Sequence, residues 1–220
     1  KKINLHTYPV DLSKINILNS VIKKILIKFK KIDILINNAG VWGPIGNFEK
    51  IVWNKWIEAI NINLLSSAYL IRAVLPSMKK NNFGRIIQLS GGGATAPMPN
   101  FSSYAVSKTG IVRLVESIAC ECKGFNISIN AVAPGAMNTK MLYIALKAGK
   151  KKVGENYHKL LKQKKEGGVG FYRAINLIDF LIIKKKISGK LISAIWDPWN
   201  KKNFLKKTKD KNIYTLRRKL

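Results

Sequence analysis

Short apolar runs rich in β-branched residues, set apart by helical stretches, limit most tightly what this chain can fold into. The clearest, Ile32-Asp33-Ile34-Leu35-Ile36, reads as a strand buried on both faces and ends in the turn residues Asn37-Asn38-Ala39-Gly40. Further strands are expected at 84–90, 127–132 and 190–195, with an earlier one over 3–10. Helices are expected at about 14–30, near 49–61 and 64–80, and at 103–123 and 171–184. Asp11-Leu12-Ser13 reads as the turn that caps the first of these. Strand–helix alternation of this kind implies an α/β fold, a parallel sheet with helices on both faces. Open parallel sheets bind ligands at the carboxyl ends of their strands, and small residues such as Ala39 and Gly40 let a ligand approach the backbone there.

Composition narrows the class. A chain of 220 residues with 47% hydrophobic content fits one globular domain. No stretch approaches the ~20 apolar residues of a membrane helix, and no signal-peptide pattern opens the chain, so no membrane partner is expected. Cys120 and Cys122 have no further Cys or His to complete a metal set; they read as reduced thiols of a cytoplasmic protein with no metal site. The net charge of +29 invites a nucleic-acid reading. Arginine, the usual reader of bases and phosphates, occurs only at 72, 85, 113, 173, 217 and 218, while lysine is spread along every helix. No specific nucleic-acid partner is therefore expected, only non-specific adhesion to polyanions at low salt.

Chemistry enters at Tyr104-Ala105-Val106-Ser107-Lys108, at the start of an amphipathic helix. Residues i and i+4 share a helix face, so the phenol and the ammonium can converge. A cation beside a phenol favours phenolate, lowering a pKa that starts near ~10 and suiting the tyrosine to proton transfer at neutral pH. Such a pair alone is also what a solvated helix surface carries by chance.

The order of motifs adds to it. Asn37-Asn38-Ala39-Gly40, the segment from Trp56 to Asn63, Gly84-Arg85-Ile86-Ile87-Gln88-Leu89-Ser90, Tyr104 to Lys108, and Asn130-Ala131-Val132-Ala133-Pro134-Gly135 with Thr139 follow one another. In that order and at that spacing they resemble the short-chain dehydrogenase/reductase family over roughly residues 10 to 140, with weaker similarity to the last strand. The resemblance implies a Rossmann-like doubly wound sheet and an NAD(P)-dependent oxidoreductase interconverting an alcohol and a ketone. It implies Tyr104 as proton donor and acceptor, and Lys108 as the group that lowers the Tyr104 pKa and bonds the nicotinamide ribose. Asn63 would hold a helix irregularity and a water of the proton relay. Asp11 would meet the adenine; Asn37, Ala39, Gly40 and Ile62 would line the cofactor; Pro134, Gly135, Met137 and Thr139 would flank the nicotinamide end. Residues 140–170 stand where the family carries its substrate lid, after which the domain ends near 195 and a basic tail runs over 196–220. NAD or NADP is the expected cofactor, a small alcohol or ketone the expected substrate, and a homo-oligomer the expected full-length state.

Two departures follow from the resemblance. The family's catalytic Ser lies thirteen residues before its Tyr, which here falls on Gly91, leaving Ser90 one residue early and dependent on the Gly91-Gly92-Gly93 loop to turn it inward. Losing that hydroxyl costs on the order of 10²-fold in rate. No Gly precedes Gly40 and the first residue is Lys1, so the glycine-rich turn and the first two βα units are expected to be missing, as in a fragment. Residues 3–10 would then lack a ladder partner and 32–36 would be an exposed, aggregation-prone edge. The alternative is a catalytically inactive remnant or binding protein with the fold and no cofactor.

Overall fold

The computed structural model describes residues 4–184 and 187–217. Its centre is a parallel sheet of four strands, β1 (Ile34–Asn37), β2 (Gly84–Leu89), β3 (Ile127–Ala133) and β4 (Leu191–Ser193), hydrogen-bonded in that order. β2 and β3 pair from Gly84 opposite Ile127 to Leu89 opposite Val132. Both are buried along their length, because successive side chains feed opposite faces and both faces are covered.

On one face Ile86, Ile127, Ile129 and Ala131 meet Ile71, Val74, Met78, Val112 and Val115. Those residues come from α3 (Ser66–Lys80) and α4 (Ser102–Glu121). On the other face Ile87, Leu89, Val132 and Ile192 pack against Leu177 and Leu181 of α8 (Phe171–Ile183), with Phe204 from the short α9 (Phe204–Lys207) closing the layer. Helices on both faces of a parallel sheet are the arrangement the alternating pattern requires.

Several elements differ from the sequence reading. Residues 4–10 form no strand, since among the described residues no neighbouring strand stands beside them to pair with; residue 3 lies outside the described residues. The Asp11–Ser13 turn forms, with the carboxylate accepting from the Ser13 backbone N–H and hydroxyl, but the cap of α1 (Ile15–Phe29) is Lys14, with no side-chain bond. The two helices read near 49–61 and 64–80 are one helix, α2 (Trp53–Ile60) running through a π-helical turn at Asn61–Leu65 into α3. Fused, this helix is long and apolar enough by length and composition to cross a membrane, a property that reading it as two pieces hid. Its inner side supplies Ile71, Val74 and Met78 to the core and buries Asn63.

The exposed edge is present as expected. Among the described residues β1 pairs only with β2, and Ile34 and Ile36 are 43% and 45% exposed. The basic tail is folded onto the domain. Lys190 Nζ donates to the Asp210 and Ile213 carbonyls, Leu191 N–H to the Tyr214 carbonyl, and the Glu116 carboxylate accepts from Leu216 N–H and Arg217.

Candidate active site

The carboxyl ends of β1 and β2, the π turn and the first turns of α4 meet at one place. The π turn carries an extra residue per turn, a feature that recurs at functional sites, and here it delivers Asn63 into the interior. Asn63 is fully buried. Its Oδ1 accepts from Val41 N–H at 2.8 Å, and its Nδ2 donates to the Val41 carbonyl at 2.9 Å and Ser107 Oγ at 3.1 Å. The Ser107 hydroxyl in turn donates to the Tyr104 carbonyl at 2.8 Å. One amide thus ties the loop after β1 to the helix that carries Tyr104 and Lys108.

Tyr104 and Lys108 do share a face of α4, as their spacing requires. Lys108 is buried, its ammonium donating to the Leu89 carbonyl at 2.8 Å and lying 5.5 Å from the Tyr104 ring centroid. Burial depresses the Lys108 pKa to about 8. The phenol behaves opposite to the sequence expectation: burial pushes Tyr104 up to about 12. The ring is packed edge-on against Trp42 and is only 8% exposed, so loss of hydration outweighs the cation.

The Tyr104 hydroxyl lies where a side chain at Gly91 would begin, so a Cβ there would overlap its oxygen. Position 91 is therefore beside the phenol, as the motif spacing implies, and it carries no hydroxyl. One residue earlier, the Ser90 Oγ is buried and among the described residues has no hydrogen-bond partner, Tyr104 included. Gly40 faces the same centre, and a Cβ built on it would sit 3.5 Å from both Asn63 Oδ1 and Lys108 Nζ.

The remaining expected residues fall into two groups. Ile62 is half-buried in the π turn, and Ala39 is exposed at the loop beside Gly40. Pro134, Gly135, Met137 and Thr139 follow β3, with Gly135 at φ 96° against Ile195, Met137 bridging Gly168, and Thr139 capping α5 (Lys140–Ala148). Asn37 points inward instead of lining a cleft: its Nδ2 donates to Gln88 Oε1 at 2.9 Å and the Ser67 carbonyl at 3.3 Å. Asp11 stays in its exposed turn, where the two Ser13 hydrogen bonds hold its carboxyl below the usual range.

Sequence reasoning missed Trp42, Gln88, Ser67 and Ser107. Only Ser107 carried a signal, being three residues from Tyr104 on the same helix face.

A sequence profile of short chain dehydrogenases matches residues 1–147. The chain belongs to that family. It is 31% identical over 135 residues to a D-beta-hydroxybutyrate dehydrogenase of Rhizobium meliloti (strain 1021), covering 61% of this chain and 52% of that protein. It is 36% identical over 108 residues to dehydrogenase/reductase SDR family member 4 of Homo sapiens, covering 49% of this chain and 39% of that protein. The chain thus spans about half, or less, of the curated relatives it matches. Among solved structures, an NAD+-bound xylitol dehydrogenase shares the fold with TM-score 0.74 at 24% identity, over 84% of this chain and 76% of that one. A metagenomic short-chain oxidoreductase in complex with NADP aligns with TM-score 0.54 at 30% identity, over 56% of each.

The site suits one end of a dinucleotide better than the other. Gly40 leaves room above Lys108 and Asn63, and the unpartnered Ser90 hydroxyl lies at the end of β2, which fits a ribose and a nicotinamide ring. Among the described residues no glycine-rich turn leads into a helix N-terminus to receive a pyrophosphate; the segment before α1 carries no glycine.

Proposed function

We propose that this chain carries the proton-transfer and nicotinamide side of an NAD(P)-dependent oxidoreductase that interconverts a secondary alcohol and a ketone. The observation that carries the reading is the convergence of Tyr104, Lys108, Asn63 and Gly40 on one buried centre. A bound NAD(P) supplies or takes the hydride. Lys108 and Gly40 form the face against which its ribose would rest, and Asn63 keeps that face in register with α4.

Tyr104 supplies the proton. With its pKa at about 12 the phenol is protonated at neutral pH, the state needed to give a proton to a ketone oxygen. The phenolate left behind is stabilised by the Lys108 ammonium, whose Nζ lies 5.5 Å from the centroid of the Tyr104 ring. Lys108, with a pKa of about 8, is still mostly charged at neutral pH and can do so.

A second reading, a family member without catalysis, is favoured by one observation. Gly91 offers no hydroxyl beside the phenol, whose oxygen fills that space itself. Turnover separates the two. Ketones of graded size with millimolar NADH or NADPH are expected to be reduced by the chain, and Tyr104→Phe is expected to slow this by at least about 10²-fold. No reduction of any ketone, or equal rates in Tyr104→Phe, would leave the second reading standing.

A further inference from the structure

Trp42 belongs to none of the expected motifs, yet it contacts more of the site than most residues that do. Its ring packs edge-on against Tyr104 with centroids 4.4 Å apart, and against Phe101 at 4.9 Å. Its backbone is held on both sides by site residues. Asn63 grips the preceding Val41, and Ser103 Oγ donates to the Trp42 carbonyl at 3.1 Å. Its indole Nε1–H reaches the other way, to the Met141 carbonyl in the first turn of α5, at 2.6 Å.

That carbonyl belongs to the lid. α5, α6 (Lys150–Val153) and α7 (Asn156–Glu166) cover the site, and Ala145 and Val153 are fully buried with Phe101 in the same apolar cluster as Tyr104. Met98, Met141, Tyr157 and Leu160 complete the cover. The lid surface itself is highly charged, with lysines at 147, 150–152, 159, 162, 164 and 165. Besides this cluster and the Trp42 bond, α7 is tied to the segment after β3, where Gln163 Nε2 donates to the Met137 carbonyl at 3.1 Å and Met137 bridges Gly168; of these bonds the one from Trp42 is the one that reaches the residue packed on the phenol.

We infer that Trp42 is a latch: its Nε1–H bond to Met141 holds the α5–α7 lid shut over Tyr104, and a substrate reaches the phenol only when that bond opens. The residue is a positioning residue, acting through the lid, and its effect on substrate access rests on the oxidoreductase reading of Tyr104. The latch itself does not. A ring at this place serves two ends, since the indole body seals the phenol from water while its single polar atom ties down the neighbouring segment.

Trp42→Phe keeps an aromatic ring while removing the N–H and part of the ring volume, and the Trp56→Phe control below loses the same atoms. Amide hydrogen exchange on the purified chain reads the consequence without substrate or cofactor. Removal of one neutral hydrogen bond shifts an opening equilibrium by about fivefold. Amides of α5 and α7 are therefore expected to exchange about fivefold faster in Trp42→Phe, with β2 and β3 unchanged. Trypsin cleavage at the lid lysines should accelerate in step. Trp56→Phe is the control: it loses a comparable indole bond, to Ser102 Oγ at 3.1 Å, away from the lid, and should leave lid exchange as it is. Unchanged lid exchange in Trp42→Phe would overturn the latch. So would acceleration spread equally over β2 and β3, which would make Trp42 a plain core residue. An intact latch in a chain without turnover would count against the oxidoreductase reading alone.

Discussion

Asn63→Leu is the substitution whose cost follows most directly from the structure. The side chains share the same number and branching of heavy atoms, so the change removes hydrogen bonding without opening a cavity. Three bonds go at once: Val41 N–H to Oδ1, and Nδ2 to the Val41 carbonyl and to Ser107 Oγ. The Val41 N–H is the most serious loss, because a donor left without a partner costs about 1–3 kcal/mol. The Val41 carbonyl adds about 1 kcal/mol. Ser107 loses little, since its hydroxyl still donates to the Tyr104 carbonyl. The sum is about 3 kcal/mol, a large share of the ~5–15 kcal/mol that stabilises a typical domain. Urea unfolding followed by far-ultraviolet circular dichroism measures it as a lower midpoint at unchanged slope. Exchange of the Val41 amide should quicken by roughly 10²-fold, the factor that ~3 kcal/mol represents. A loss below about 0.5 kcal/mol would refute the reasoning, because it would mean that water or another group already serves Val41.

Gly91→Ala places a methyl where the Tyr104 hydroxyl now lies, and Trp42 and Phe101 restrict the ring's retreat, so a loss of about 1–3 kcal/mol in thermal or urea unfolding is expected. Unchanged stability would show that the phenol moves freely. Stability should rise with pH between about 8 and 10. In that window the folded chain, with Lys108 at about 8, binds fewer protons than the unfolded chain, whose lysine titrates near 10.5, so raising pH favours folding. Tyr104 acts in the opposite sense, but only above about 10, where the unfolded phenol ionises and the folded one, at about 12, does not. Urea midpoints at pH 8 and 10 check this, and Lys108→Met should flatten the rise; an equal rise in that variant would contradict the assignment.

The sheet was legible in the sequence because each strand announces itself locally. Ile86-Ile87 place an apolar side chain on each face, and Ile127, Ile129 and Ala131 line one face of β3 whatever the rest of the chain does. Tyr104 and Lys108 were legible for the same reason, one helix fixing their spacing. What escaped depends on partners far along the chain. Residues 3–10 read as a strand, but a strand needs a neighbour, and among the described residues none stands beside 4–10. The raised Tyr104 pKa comes from Trp42 and the lid, and the Trp42–Met141 bond joins residues 99 apart in sequence. Asn37 looked like a cofactor residue from its motif, while its bonds to Gln88 and Ser67 turn it into an internal clamp. The tail showed only its lysines, whereas its folding depends on Lys190 and Glu116, both buried and waiting for backbone partners.

Hydride transfer itself tests the central claim most directly. A panel of secondary alcohols carrying deuterium on the carbinol carbon, incubated with the chain and millimolar NAD+ or NADP+, can be followed by mass spectrometry of the nicotinamide. The expected result is one deuterium on the reduced ring with at least one alcohol, falling by about 10²-fold or more in Tyr104→Phe. A nicotinamide that gains no deuterium from any alcohol, or that gains it equally in Tyr104→Phe, would contradict the account.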